Sequence, residues 1–320
     1  MLTFILRRIL YSIPVLVLAT VLVFVFVRAT TDPVARLRAS RDPLAVSRER
    51  ARLGLDRPLH TQYVNWAKDF VRGKWGQSFI TRRSVSTEIR AKLWNTTQLI
   101  IWGILFSATI AIAVGVYSAY RQYSALDYTF TGLSFIGLSM PVFWFALMAI
   151  QFLVAEPKNL FNLDQPIFYS VGKNSATPQP FDYPRHLFLP VLTLSVQLVA
   201  GWSRYQRSSM LDVMSADYIR TARAKGVPGR TVLLKHGLRN ALIPLTTVMA
   251  LDIGALFGGL IITETIFAWP GMGRLFVDAL LNGDTAIILP WLIVTAVFII
   301  LFNLLADVLY GILDPRIRLS

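Results

Sequence analysis

The sequence has no cysteine, which excludes disulfides, thiolate metal sites and a cysteine nucleophile. It has three histidines, His60, His186 and His236, which share no ligand spacing, so no metal site is expected. Charge is scarce, at 16% of residues, and one-sided: 18 acidic against 32 basic side chains, a net charge of +14. There is no G-x-S-x-G, no H-E-x-x-H and no G-x-x-x-x-G-K-[ST] phosphate loop. No catalytic residue and no cofactor bound by this chain are therefore expected.

What the sequence has in abundance is apolar length. Hydrophobic residues make up 54% and the mean hydropathy is +0.53, more than a soluble domain of this size carries. Six runs approach the roughly 20 residues that cross a bilayer: Leu10–Val27, Leu99–Tyr120, Tyr128–Ala155, Leu187–Trp202, Ala241–Ile262 and Ala286–Leu305. Barrel strands would instead alternate over about 10 residues. The chain is expected to be an all-α, polytopic membrane protein with six transmembrane helices. Arg7 and Arg8 precede the first run as in a secretory leader, but its apolar part is long and no small-x-small site follows in "VRATTDP", so it is read as a retained helix.

The basic residues set the orientation. With six crossings both termini lie on one side, together with Arg7, Arg8, Arg121, Arg316, Arg318 and the loop after the fourth run, which holds Arg204, Arg207, Arg220, Arg223, Lys225, Arg230, Lys235 and Arg239. The positive-inside rule makes that side cytoplasmic. The loop between the first two runs is also arginine-rich, but loops longer than about 60 residues cross largely regardless of charge. It carries Tyr63, Trp66 and Phe70 at helical spacing and is read as a folded outer element. The segment from Glu156 to Arg185, with five prolines, is expected to be irregular. Six apolar runs make basic membrane loops, and not nucleic-acid binding, the reading of the net charge.

One stretch stands apart. "DYIRTARAKGVPGRTVLLKHGLRNALIP", Asp217 to Pro244, interrupts the oily background with basic and small residues and a Gly-x-Pro-Gly break from Gly226 to Gly229. It resembles the cytoplasmic coupling loop of binding-protein-dependent ABC importer permeases, most closely the B-type subunit of the dipeptide and oligopeptide branch. "LGLDRPLHTQYVNW" (Leu53–Trp66), "GKWGQSF" (Gly73–Phe79), "ETIFAWPGMGRL" (Glu264–Leu275) and "LADVLYGILDPRIR" (Leu305–Arg318) carry the likeness from end to end. The general loop begins Glu-Ala-Ala six residues before its glycine; here those positions are Arg220, Thr221 and Ala222, and only Ala222 matches.

The resemblance implies that Asp217, Tyr218, Ile219, Arg220, Thr221, Ala222, Arg223, Ala224, Lys225 and Gly226 form a short helix that docks on a cytoplasmic ATPase. On that reading, small Ala222 and Ala224 admit a close surface, Arg220 and Arg223 meet carboxylates, and Gly226 and Pro228 end the helix. The plainer reading is a basic amphipathic segment on anionic headgroups. Asp252, mid-membrane, is either a pathway or gating residue or a polar side chain bonded to a neighbouring helix. Glu264 is part of an outer gate or an exposed polar residue. Gly254 and Gly258 form a G-x-x-x-G pair that packs either a partner permease or a helix of this chain.

Residues 1–28 are thus expected to be the first transmembrane helix, 29–95 an extracytoplasmic element, and 96–320 a five-helix core with a coupling loop at 204–240. The resemblance implies a subunit that is not itself an enzyme. Its partners would be a second, homologous permease, two cytoplasmic ATP-binding subunits, an extracytoplasmic peptide-binding protein and membrane lipid. ATP would bind those partner subunits, and both termini would lie inside a cell membrane. The same permease type also serves glutathione, nickel-complex or haem import. A secondary transporter would instead need internal repeats, which are not visible, and a membrane enzyme would need a catalytic constellation.

Overall fold

The computed structural model describes residues 2–30, 34, 43–52, 54–177 and 179–313. Arg316 and Arg318, used above for orientation, lie outside them, as do parts of the 29–95 element. Among the described residues the regular elements are helices, with one isolated antiparallel bridge between Gln77 and Ser84. They are α1 (Leu2–Thr30), α2 (Pro43–Arg52), α3 (Leu59–Val71), α4 (Val85–Tyr120), α5 (Ala125–Ser139), α6 (Val142–Ile150), α7 (Glu156–Leu160), α8 (Asp182–Ser215), α9 (Asp217–Ala224), α10 (Gly229–Thr231), α11 (Arg239–Gly259), α12 (Ile261–Ile266), α13 (Met272–Leu281) and α14 (Thr285–Leu313). π-helical segments join α6 to α7 (Gln151–Ala155) and α10 to α11 (Val232–Leu238).

α1, α4, α8, the α10–α11 unit and α14 are each long and apolar enough to cross a membrane; α5 and the unit from α6 to α7 meet the same test only when taken together, as a pair bent by 106°, so the spans number five, or six if that pair is one broken span. The run expected as one helix over Tyr128–Ala155 is therefore broken, and the break has a chemical cause. Pro141 has no amide hydrogen to donate, and the residue before a proline is driven out of the helical region. Met140 accordingly sits at φ −75°, ψ 127°. Two other expectations shift. The short fourth run is the middle of the 34-residue α8, whose polar ends hydropathy does not count. The boundary placed at residue 95 falls inside α4, which runs unbroken from Val85.

α8 is the axis of the bundle. Of its most apolar window, 61% is buried, against 6% for α1 at the periphery. α4 lies along α8, α5 and α6 cover other faces, and α11 packs on both α8 and α14. In lipid such contacts are driven by close packing and not by the hydrophobic effect, which favours small residues where helices meet. A Cβ at Gly103 would fall 2.4 Å from Leu194 Cδ2, and one at Gly115 would fall 2.6 Å from Gln206 Cβ and 2.8 Å from the Ser203 carbonyl oxygen. The element between α1 and α4 is held by aromatic contacts: Phe24 of α1 meets Tyr63 and Trp66 of α3, and the row continues through Phe70 to Trp75 with centroids 4.8–5.6 Å apart along these contacts. Asp284, just before α14, accepts from Ser78 Oγ at 2.5 Å and the Phe79 amide at 3.2 Å, tying the "GQSF" turn to the last helix.

Because the Gly115 contact is partly with backbone, it cannot be relieved by rotating one side chain. Gly115→Ala is expected to cost about 1–3 kcal/mol, read as a lowered melting temperature in detergent. Gly201→Ala, on α8 where an added Cβ meets nothing within 4 Å, is the control and should be neutral or gain up to about 1 kcal/mol from helix propensity.

Candidate functional site

The stretch singled out in the sequence folds as a discrete cap on one end of the bundle. α9 follows α8 after one extended residue, Ala216. It ends in a Schellman motif: the Gly226 amide donates to Arg223 O at 3.0 Å and the Val227 amide to Ala222 O at 3.2 Å. Gly226 takes φ +74°, a region that a residue with a Cβ rarely enters. Its inner face, Ile219 and Ala222, packs with Val232, Met214 and Val227. Tyr218 Oη accepts from Asn240 Nδ2 at 3.1 Å, linking α9 to the first turn of α11.

This geometry divides the predicted coupling residues. Asp217, Tyr218, Arg220, Thr221, Arg223, Ala224, Lys225 and Gly226 are exposed, whereas Ile219 and Ala222 are buried in this chain. Ala222 was expected to offer a small surface to another protein. It points inward instead, because with Ile219 three residues earlier it completes the apolar stripe of a one-sided helix. Ala224 is the small residue on the open face. Arg220 was expected to reach partner carboxylates; its guanidinium lies 2.6 Å from Asp217 of its own helix, an exposed pair of little energetic weight.

Asp252 lies on α11 and accepts from Trp202 Nε1 of α8 at 2.7 Å through Oδ2. Trp202 is fully buried and Asp252 only partly so. Gly254 and Gly258 face α14: a Cβ at Gly254 would lie 3.1 Å from Phe302 Cβ, and one at Gly258 3.4 Å from Thr295 Cγ2.

Glu264 is fully buried, which removes the reading of an exposed polar residue. Its Oε1 accepts from Thr96 Oγ1 at 2.6 Å, and its Oε2 from the amides of Gly273 at 2.6 Å and Arg274 at 3.1 Å. Thr96 Oγ1 in turn accepts from the Met272 amide at 2.8 Å. Asn95 Nδ2 donates to Pro270 O, Trp269 Nε1 to Asn95 O and Trp291 Nε1 to Met272 O. Lys173 Nζ donates to Asn95 Oδ1 at 2.8 Å, fastening the irregular segment before α8 to the same knot. The glycines of "PGMG" are required by closeness: a Cβ at Gly271 would fall 2.2 Å from Glu264 Oε1, and one at Gly273 2.6 Å from Ile261 Cα. Burial pushes the Glu264 carboxyl up to about 7, against donors that favour its charged form.

A further ion pair, with its aspartate buried and its arginine partly exposed, escaped sequence reading. Arg207 of α8 meets Asp127 of α5 with two parallel hydrogen bonds, Nε to Oδ1 at 2.8 Å and Nη2 to Oδ2 at 2.9 Å. Asp127 also accepts from the Tyr123 amide, and its own amide donates to Ser124 Oγ. The Ser124-x-x-Asp127 spacing is a helix-start signature and could have flagged the aspartate; nothing local points to Arg207, 80 residues away.

Comparison with known proteins adds the following. Residues 111–319 match the family described as binding-protein-dependent transport system inner membrane component, and residues 1–100 match its N-terminal counterpart. The chain is 41% identical to the oligopeptide transport system permease protein AppB of Bacillus subtilis, covering 99% of this chain and 100% of that protein. It is 39% identical to the glutathione transport system permease protein GsiC of Salmonella typhimurium and 38% identical to the dipeptide transport system permease protein DppB of Escherichia coli K12, each over 99% of both chains. A chain of the MetNI methionine ABC transporter, solved in inward-facing conformations, shares the fold: TM-score 0.53 at 15% identity, covering 71% of this chain and 96% of that one.

The Glu264 knot yields a two-part prediction. Glu264→Ala leaves two backbone amides and one hydroxyl without their acceptor and should destabilise the chain at every pH by about 1–3 kcal/mol for each orphaned group. Glu264→Gln reproduces the protonated acid, with its carbonyl facing the two amides and its NH2 facing Thr96. Since the folded-state value of about 7 exceeds the ordinary 4.5, the stability this group contributes is full below about pH 4.5 and is lost as pH rises through 7. Melting temperatures across that window should fall for the wild type and stay flatter for Glu264→Gln; parallel curves would disprove the assignment.

Proposed function

The chain belongs to the binding-protein-dependent transport system inner membrane components, and on that premise we propose that it is the permease subunit of an ATP-driven peptide importer, forming half of the translocation path. The observation that carries this reading is the end-to-end likeness to permeases named for oligopeptides and dipeptides. Its proposed partners are a second, homologous permease, two cytoplasmic ATPases that bind the ATP, and an extracytoplasmic peptide-binding protein. Glutathione is a second substrate reading, favoured by the relative named for it at 39% identity. Near-equal identity to proteins named for different substrates fits selection made mainly by the binding protein.

In this reading α9 is the ATPase-coupling helix, with residues 204–240 as the surrounding loop and residues 29–95 as the outer element. The open face of Tyr218, Thr221, Ala224 and Lys225 meets the ATPase, while Ile219 and Ala222 hold α9 to the bundle. Displacement of α9 passes to the end of α8 through Met214 and to α11 through Val232 and Tyr218–Asn240. Asp252, partly open beside Trp202, faces the path. Glu264 fixes the outer end, where a gate would close. Gly254 and Gly258 serve packing inside the subunit, against α14. Both termini and α9 are cytoplasmic, in a cell membrane.

Two experiments test this reading. Overfilling a packed contact costs about 1–3 kcal/mol, a roughly 5- to 150-fold loss of affinity. Ala224→Trp should therefore weaken ATPase copurification by that factor while leaving the melting temperature of the chain unchanged. Ala222→Trp should lower the melting temperature itself. Normal assembly and transport by Ala224→Trp would make α9 a lipid-surface helix.

Orientation is read with single cysteines, since the chain has none. Asn65→Cys should react with an impermeant maleimide in intact cells and Lys225→Cys only after lysis; the reverse pattern would invert the topology.

A further inference from the structure

Where the outer end of α1 meets the outer element and the start of α14 there is a cavity of about 470 Å³. Three arginines from separate segments line it: Arg28 at the end of α1, Arg52 at the end of α2 and Arg82 in the turn before α4. Trp66 and Trp75 form a wall, and the first turn of α14 at Thr285, the positive end of a long helix, forms another. Among the described residues no carboxylate lines the space; Asp284, just before α14, is 1% exposed and bound to Ser78 and Phe79.

Two features are hard to explain by folding alone. Arg28 Nε is buried with no hydrogen-bond partner, its guanidinium resting 5.3 Å from the Phe24 ring centre. An unpaired buried donor on a charged group is costly. Arg82 holds φ +58°, a left-handed backbone that a side chain with a Cβ adopts at a cost. An arginine is an expensive choice there unless its side chain is needed at that spot.

We infer that this cavity is a binding site for a phosphate oxyanion, supplied by the headgroup of an anionic phospholipid at the membrane boundary. Guanidinium forks from several directions match the tetrahedral oxygens of phosphate. Depth selects the lipid over a soluble anion. Arg28 directly follows the apolar run Leu10–Val27, so it sits where hydrocarbon gives way to headgroups, and tryptophans concentrate at that level. α1 is also the span least buried in the protein, touching mainly α14 and α3. A headgroup held by Arg28, Arg52 and Arg82 pins this loose helix to α14 and the outer element. The inference rests on the membrane-spanning fold and not on the peptide substrate.

The test uses the full chain in detergent. Dioleoylphosphatidylglycerol, dioleoylphosphatidylcholine or millimolar inorganic phosphate is added, and retained lipid is counted by native mass spectrometry beside the melting temperature. Phosphatidylglycerol should be retained and stabilising, phosphatidylcholine much less so. The Arg28→Gln, Arg82→Gln pair should weaken retention about tenfold or more. Should that pair fold poorly, Arg82→Gly serves alone. It relieves the left-handed strain, so a merely structural Arg82 predicts higher stability with unchanged lipid, whereas the site predicts lost retention. Inorganic phosphate that stabilises the wild type as much as phosphatidylglycerol would overturn the lipid source and leave a soluble-anion site. Phosphatidylglycerol retained equally by wild type and variants, or by neither, would overturn the site altogether.

Discussion

The fold depends on how closely α4 can approach α8. Between lipid-embedded helices there is no hydrophobic gain in leaving the solvent, so the pair is held by dispersion across a tight interface and by the few polar links it can shelter. Gly103 and Gly115 give α4 the smooth face on which Leu194 and Gln206 lie. Gly137 plays the same part on α5, where a Cβ would stand 3.3 Å from Ala200 Cβ. With α8 fixed as the axis, the other contacts follow: Asp127–Arg207 clamps α5 to it, Trp202–Asp252 clamps α11, and α14 reaches it through α11.

The non-helical backbone is governed by a second constraint. Away from water every amide and carbonyl needs an internal partner, and the amides of Met272, Gly273 and Arg274, in the first turn of α13, are ones for which helix geometry does not supply it. A single carboxylate does much of that work. Glu264 takes two amides from the start of α13 directly and a third through Thr96, while Gly172, Arg274, Asn95 and Trp291 donate to the carbonyls of Phe267, Ala268, Pro270 and Met272. Such a knot is intolerant of small changes because each member satisfies another. This accounts for the density of Gly, Pro, Trp and Glu in one short motif more directly than any contact with substrate would.

Much of this architecture could be read in the sequence, and the misses share a cause. Apolar runs, the aromatic spacing of Tyr63, Trp66 and Phe70, and the stop at Gly226 are local signals, and local signals were legible. Pro141 was also local, but run length alone overlooked it. The inward turn of Ala222 required knowing where Val232 and Met214 would stand. The Arg207 clamp on Asp127 and the Thr96 bond to Glu264 span 80 and 168 residues, and no periodicity carries that information. The Glu264–Leu275 motif was visible as a pattern, but its role depended on α4 being close enough to lend Asn95 and Thr96.

These contacts also constrain how a push on α9 would travel. α9 is too short to bend, and its inner face is locked by Ile219 and Ala222 into a cluster that includes Met214 of α8 and Val232 of the π-helical segment. A displacement therefore has two outlets. Along α8 it meets the bidentate Arg207–Asp127 pair one turn or two further on, which hands part of it to α5 and so to the kink at Pro141. Along α11 it would enter through the π-helical segment Val232–Leu238 that joins α10 to α11. The two routes would rejoin at the hydrogen bonds between α8 and α11, Ser209 Oγ to Ala241 O at 2.8 Å and Trp202 Nε1 to Asp252 Oδ2 at 2.7 Å. Relative sliding of those helices would have to stretch or break both bonds, the Ser209–Ala241 one nearer the cap first and the Trp202–Asp252 one after it.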